Sequence, residues 1–405
     1  MNADQASVSL PPTWLLGLST FCSGAFTGVL LLTIPQLLAA QGSPQPQIAQ
    51  VTSLTLLPGC FAFLLAPILD VRFSRKAYAI VLGVLQAVLL ALALNLIGNL
   101  AALTVCMVVL NTATNLFPSA VAGWFGPMVP RDHESRLGAW FAAGNFGGFG
   151  LMSSVAILLL RGLPYQLGIA AVILVALLPL LLLFPFVPAR QPDRALAHPG
   201  FGKVLRELSK IFNNRHLLRM TALFAMPAAT FALTNTLGGL GREFHAAEGF
   251  VGLVGGLGAT LGGIFGALVA PSLARRMPPI ALYIAIGVCG ALFTLCLLVP
   301  ARTPALFAVA MVGENVFQSA AFAVVNALAL LSIGKSNPFA ATQFAFVNAT
   351  ITVPLAYMQF IAGQAFAWNG LTGTLFVDAS VSIVACLSMA LLFATRWRDS
   401  LTPQA

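Results

Sequence analysis

Charged side chains are scarce in this sequence: Asp, Glu, Lys and Arg make up 8% of its 405 residues, whereas apolar residues make up 59%. Soluble domains carry about 25% charged residues, so this chain cannot cover a water-facing surface with them. The composition therefore excludes a soluble enzyme. It also excludes a nucleic-acid-binding protein, despite the formal net charge of +9.

Motifs for nucleotides, metals and disulfides are missing as well. No phosphate-binding loop of the G-x-x-x-x-G-K-[ST] type occurs, which excludes ATP as the driving force. His-x-x-x-His and Cys-x-x-Cys spacings are absent, so we expect no metal site and no cofactor. The six cysteines all lie in apolar stretches, which favours buried thiols over a disulfide framework. Residues 1–12 lack the basic region of a cleavable signal peptide.

Long apolar runs account for most of the chain. A helix needs about 20 apolar residues to cross the hydrocarbon layer, and a backbone in lipid must satisfy its own hydrogen bonds. The sequence therefore predicts an all-α, polytopic membrane protein with 12 transmembrane helices. The predicted spans are 13–40, 48–69, 77–97, 100–126, 137–160, 164–188, 217–240, 250–273, 280–300, 304–332, 339–364 and 369–395.

The basic residues are distributed unequally between the two sides of the membrane. Seventeen of the twenty Lys and Arg residues fall in every second connection or in the C-terminal tail, and only Arg161, Arg242 and Arg302 fall on the other side. Because cytoplasmic loops collect Lys and Arg, we predict a multi-pass protein of the inner (plasma) membrane with both termini in the cytoplasm.

The two halves of the chain repeat each other at an offset of 204 residues. Matching pairs include Ala66-Pro67 with Ala270-Pro271, Gly83-Val84 with Gly287-Val288, and Met107-Val108 with Met311-Val312. We therefore predict two pseudo-symmetric six-helix bundles, over 1–188 and 217–405. Transporters commonly bind their solutes between such repeats.

The connection between the predicted bundles, 189–216, is basic and rich in proline. A short apolar pattern within it predicts an amphipathic helix on anionic lipid. A plain cytoplasmic linker is the alternative.

This six-plus-six arrangement resembles the major facilitator superfamily over the whole chain. The superfamily pattern G-x-x-x-D-x-x-G-R-R is matched after the second span by Asp70, Arg72, Arg75 and Lys76, but Ala66 stands at the first glycine and Phe73-Ser74 where the second belongs. ESRLGAWFAAGNFGG (134–148) and AATQFA (340–345) resemble the branch of muropeptide permeases, acetyl-CoA transporters and siderophore importers.

Two carboxyl groups lie well inside predicted spans, Glu314 in the tenth and Asp378 in the twelfth. Charges within hydrocarbon are expensive and mark functional sites. The resemblance implies that helices one, four, seven and ten line a central cavity, which places Glu314 on the solute path. We therefore predict Glu314 and Asp378 as proton-coupling residues. The alternative for each is a structural hydrogen bond to a neighbouring helix.

Amides and hydroxyls on several spans suit a solute rich in sugar or peptide groups. Hydrogen bonds that join helices are an equally good explanation. The predicted substrate-binding residues are Asn111, Asn115, Asn145, Thr234, Asn235, Asn315, Gln318, Gln343 and Asn348. The resemblance implies that helices five and eight face each other, so their many glycines predict a close sliding contact between the halves. Tight static packing within each half is the alternative.

Asp70, Arg72, Arg75 and Lys76 are predicted to form a cytoplasmic gate, in which the acid pairs at a neighbouring helix end. The second half has Ala274 at the position of Asp70, so this latch is one-sided. Arg242-Glu243 is a candidate for an outer counterpart, or else a solvated ion pair.

The function predicted from these observations is secondary active transport by alternating access. We expect a proton-coupled importer of a polar, mid-sized solute, muropeptide-like or siderophore-like, that acts as a monomer in the lipid bilayer. The alternatives are a proton-antiport exporter of drugs or metabolites, a non-transporting sensor with the same fold, and a membrane enzyme, against which the scattered histidines argue.

Overall fold

The computed structural model describes residues 11–43, 45–70, 73–187, 221–228, 233–333 and 340–392. Within these ranges the chain is helical and contains no strand, and nine helices are long and apolar enough to cross a membrane. The predicted all-α, polytopic class is confirmed. The predicted linker, 189–216, lies outside the described residues, and the division into 1–188 and 217–405 stays a prediction.

Most of the helices follow the predicted spans closely. In the first half they are α1 (Thr13–Leu38), α2 (Gln45–Leu56), α3 (Arg75–Asn95), α4 (Leu100–Phe125), α5 (Glu134–Gly162) and α6 (Tyr165–Leu183). In the second half they are α7 (Leu233–Leu237, continued by a 3-10 turn over Gly238–Phe244), α8 (Gly249–Ala274), α9 (Pro279–Cys296) and α10 (Pro304–Ile333). The seventh predicted span, 217–240, is described only over 221–228 and 233–240.

The last two predicted spans follow each other directly over Ala340–Leu392, separated only by non-helical backbone at Asn369 and Gly370. We call the parts on either side α11 (340–368) and α12 (371–392). Gly370 has φ +54° and ψ −146°, a conformation that only glycine adopts without strain. The chain therefore reverses within two residues, which leaves α11 and α12 as separate spans.

The second predicted span, 48–69, is not the regular helix that the sequence predicts. The first α-helix ends at Leu56, one α-helical turn follows over Pro58–Phe61, and 3-10 turns occupy Ala62–Leu64 and Ala66–Asp70. Bonds of the i to i−3 type, such as Leu65 N–H to the Ala62 carbonyl (3.0 Å), replace those of an α-helix. Pro58 and Pro67 explain the change, because proline has no N–H to donate and obstructs the preceding turn.

Small residues let α5 pack against helices from both halves. A Cβ atom at Gly24 or Gly28 of α1 would collide with the backbone of α5, and one at Gly150 of α5 would collide with the Thr260 hydroxyl of α8. This is the close approach predicted between α5 and α8. Other glycines of these helices face elsewhere: Gly148 packs on α1, and Gly266 packs on α10.

Candidate functional site

A cavity of about 900 Å³ lies between the two halves of the molecule. Side chains from α1, α2, α4 and α5 line it on one side, and side chains from α7, α8, α10 and α11 line it on the other. It reaches Gln36 of α1 and Gly239 after α7 at the end of the bundle that carries Arg302, which we call the Arg302 end. We call the opposite end, which carries Asp70, the Asp70 end.

Most of the predicted substrate-binding residues line this cavity. Those that do are Asn111, Asn115, Asn145, Thr234, Asn315, Gln318 and Asn348. Gln343 is not among the lining residues, because the next residue, Phe344, takes the cavity-facing position and successive residues of a helix point about 100° apart. The side chain of Asn235 lies outside the described part of the chain.

Several of the lining residues already make hydrogen bonds within the protein. Asn111 Nδ2 donates to the Thr55 carbonyl of α2 at 2.7 Å, and Thr234 Oγ1 donates to Gln318 Oε1 at 3.1 Å. Asn115 and Asn315 each donate to the carbonyl four residues earlier, at 2.8 Å. The bonds of Asn111 and Thr234 thus join neighbouring helices, whereas those of Asn115 and Asn315 lie within one helix. A role in binding a solute stays a prediction for all of them.

Three lining amides were not among the predicted substrate-binding residues, Gln36 of α1, Asn326 of α10 and Gln359 of α11. Asn326 extends a row on one face of α10 that runs through Asn315, Gln318 and Phe322 in steps of three, four and four residues. That helical spacing is a signal that the sequence does contain.

Glu314 does not line the cavity, contrary to the expectation that it faces the solute path. Its side chain is fully buried, and Glu314 Oε1 accepts a hydrogen bond from Thr294 Oγ1 of α9 at 2.6 Å. The adjacent residue Asn315 faces the cavity instead. The rotation of α10 about its axis therefore directs the carboxylate into the packing between α9 and α10.

Asp378 lies on a buried polar face of α12, four residues from Thr374 and four from Ser382. Within the described ranges, neither of its carboxylate oxygens has a hydrogen-bond partner. Further along the same face, Cys386 Sγ contacts the Ala228 carbonyl at 3.5 Å. Like Glu314, Asp378 is enclosed by the helices of the second half and does not line the cavity.

Two of the predicted gate residues, Asp70 and Arg75, meet where the two halves touch at the Asp70 end. Asp70 is 2% exposed, and its Oδ1 accepts from Arg75 Nε (2.9 Å) and Nη2 (2.8 Å). Its Oδ2 accepts from the backbone N–H (2.8 Å) and Oγ1 (2.6 Å) of Thr342, in the first turn of α11. One buried carboxylate thus joins the α2–α3 connection to a helix of the other half.

The neighbouring basic residues extend this contact. Arg75 Nη1 donates to the Gly123 carbonyl of α4 at 2.8 Å, and a Cβ at Gly123 would press on Ala341. Lys76 Nζ donates to the Val187 carbonyl at 2.7 Å, within the first half. Arg72 lies outside the described residues. The cavity is therefore closed at this end by contacts that include Asp70 and Arg75.

At the Arg302 end, Glu243 pairs with Arg302, whose Nη1 lies 3.6 Å from Glu243 Oε2. Arg302 Nη2 also donates to Thr372 Oγ1 at 2.8 Å. Both charged side chains are more than a third exposed, and exposed pairs contribute little to stability. All three residues belong to the second half, so this pair does not join the halves.

Comparison with known proteins agrees with this architecture. The family model described as Major Facilitator Superfamily matches residues 16–356. No curated protein is a significant sequence match.

Solved structures share the fold at low sequence identity. A variant of the E. coli fucose:proton symporter FucP has a TM-score of 0.67 at 18% identity, covering 93% of this chain and 98% of its own. The human organic anion transporter MFSD10 has a TM-score of 0.66 at 16% identity, with coverages of 94% and 100%. The proton:xylose symporter XylE has 0.67 at 13%, with 94% of each chain covered. The family match spans most of the sequence, and the chain therefore belongs to the Major Facilitator Superfamily of membrane transporters.

Proposed function

We propose that this protein carries a polar, mid-sized solute across the inner membrane by alternating access, as a proton-coupled importer. The observation that carries the proposal is a cavity that side chains of both halves line. At the Asp70 end, contacts between the two halves close it. The whole cavity belongs to one chain, which supports a transporter that acts as a monomer.

The sidedness of the gate follows from the distribution of basic residues. Lys and Arg are concentrated on the side of the α2–α3 connection, which the positive-inside rule assigns to the cytoplasm. With this orientation, we infer an outward-open state in which Asp70 and Arg75 form the closed cytoplasmic gate. Import requires this gate to open while the halves close at the Arg302 end.

Proton coupling rests on the two buried acids, Glu314 and Asp378. FucP and XylE are proton symporters by their descriptions, which favours symport as the energy source for this chain too. Because neither acid lines the cavity, a proton on either one acts through the packing of α9, α10 and α12 rather than by touching the solute.

The resemblance to muropeptide permeases and siderophore importers supports import of a solute of that size. A proton-antiport exporter and a sensor with the same fold are the alternatives. An exporter would share the alternating cavity, whereas a sensor would bind a solute without moving it.

Cys60 offers a test, because it is the cysteine that lines the cavity within the described residues. The exposed cysteines, Cys289 and Cys296, are first replaced by serine. A membrane-impermeant methanethiosulfonate reagent is then applied to one face at a time, in spheroplasts and in inverted vesicles. We expect Cys60 to react mainly from the outside in the parent and to gain reactivity from the cytoplasmic face in Asp70→Asn.

Asp132→Asn serves as the matched control, because Asp132 is an exposed acid in the α4–α5 connection. It should leave the labelling pattern unchanged. If the rate of Cys60 labelling from the cytoplasmic face is the same in the parent and in Asp70→Asn, alternating access through this gate is wrong.

A further inference from the structure

The lining of the cavity carries no charged side chain among the described residues. Asp, Glu, Lys, Arg and His are all missing from it, and the buried acids Glu314 and Asp378 point into the second half. An ion that leaves water without a counter-ion loses several kcal/mol of solvation, so a charged solute would find no compensation here.

Three lining amides are free to bind a ligand. Asn326, Asn348 and Gln359 are half-buried, and none of them makes a hydrogen bond to another residue in the described ranges. Each amide offers both donors and acceptors. Adjacent hydroxyl groups of a sugar likewise donate and accept, so they match these amides, whereas a purely apolar solute would leave them unsatisfied.

Aromatic rings lie in the same cavity. The rings of Phe146 of α5 and Phe322 of α10 meet edge to face with centroids 5.9 Å apart, and Phe141 of α5 also lines the cavity. Phe344 adds a ring from α11. Such faces provide apolar contact for the C–H surface of a sugar ring while the amides bind its hydroxyls.

The size of the cavity completes the description of its ligand. Small-molecule sites measure roughly 300–1,000 Å³, and this cavity is near the upper limit at about 900 Å³. We infer that the solute is uncharged and rich in hydroxyl groups, a saccharide of two or three rings recognised by Asn326, Asn348 and Gln359. This inference rests on the proposed transport function and narrows it, because solutes with free carboxylates fit the lining less well.

The test measures protection of Cys60 in the variant lacking Cys289 and Cys296. The probes are maltose and raffinose as neutral saccharides, maltobionate as an anion and glucosamine as a cation. We expect a neutral saccharide to slow methanethiosulfonate labelling at concentrations at least tenfold lower than either charged probe. Protection that is equal or stronger with the charged probes overturns the inference, and so does a lack of protection by both neutral saccharides.

Substitution of the amides localises the effect. Asn348→Ala and Asn326→Ala should each raise the protecting concentration about tenfold, which corresponds to one lost hydrogen bond of about 1.4 kcal/mol. Asn95→Ala, at the exposed end of α3, is the matched control and should leave protection unchanged. Equal protection in the parent, Asn348→Ala and Asn326→Ala would show that these amides do not bind the solute.

The two proposals fail in distinguishable ways. If Asp70→Asn does not increase Cys60 labelling from the cytoplasmic face, the proposed function is wrong, whichever solutes protect Cys60. If that labelling increases but charged solutes protect Cys60 best, only the inference about the solute is wrong.

Discussion

Asp70 and Thr342 are 272 residues apart in sequence and are joined by two hydrogen bonds, from the Thr342 backbone N–H and from its hydroxyl to Asp70 Oδ2. The carboxylate also faces the first turn of α11, where the helix dipole favours negative charge. Charge-assisted hydrogen bonds contribute about 1.5–3 kcal/mol each. This contact alone is therefore large enough to bias the equilibrium between gate states.

Removing the Thr342 hydroxyl should weaken the gate without removing the backbone contact. In Thr342→Val, the loss of one such bond should increase the population of the inward-open state about tenfold or more. The rate of Cys60 labelling from the cytoplasmic face measures this change. Thr350→Val is the control, since its hydroxyl bonds within α11 to the Val347 carbonyl. Equal rates in both variants would contradict the role of Thr342.

Arg75 should matter for stability as well as for gating. It is 3% exposed and bonds both Asp70 and the Gly123 carbonyl. Arg75→Met leaves the Asp70 carboxylate buried without its cation, and breaking a buried pair in this way costs about 3–5 kcal/mol. We expect a clear fall in the thermal unfolding temperature of the purified protein, which Asp70→Asn in the same chain should partly restore. An unchanged melting temperature would show that the pair is dispensable.

The two buried acids can be separated by transport measurements in proteoliposomes, using the solute that protects Cys60. Glu314→Gln should abolish accumulation driven by a pH gradient while leaving counterflow exchange partly intact, because a neutral amide cannot release a proton. Asp378→Asn provides the comparison. If Asp378→Asn alone uncouples transport, Asp378 is the coupling residue, and if neither variant does, both acids have structural roles.

The α5–α8 contact should not tolerate added volume. A Cβ at Gly150 would overlap the Thr260 hydroxyl, and overpacking costs about 1–3 kcal/mol. Gly150→Ala should therefore lower the thermal unfolding temperature, and Thr260→Gly in the same chain should recover part of the loss. Gly363→Ala, where the added methyl meets open space, is the matched control. If Gly150→Ala is as stable as this control, the two helices do not pack as closely as described.

Much of the fold followed from local sequence features. Hydrocarbon forces long apolar runs into helices, so the class and most spans could be predicted from composition alone. The spans failed where proline acted locally, as in the 3-10 turns that precede Asp70. Amides such as Asn111 and Asn348 could be predicted as cavity residues, because polar groups inside a membrane bundle avoid lipid.

The sequence by itself determined that this chain is a helical membrane protein of a known superfamily. It also allowed most of the cavity amides to be predicted. Apolar runs, short motifs and polar residues within a span can all be recognised from residues close together in the chain. Only the tertiary structure decided that Glu314 faces α9, that Asp70 reaches Thr342 and that Asn326 joins the cavity. These depend on how each helix is rotated about its axis and which helix lies beside it. That rotation is set by packing between distant segments, such as Gly150 against Thr260, which no local pattern records.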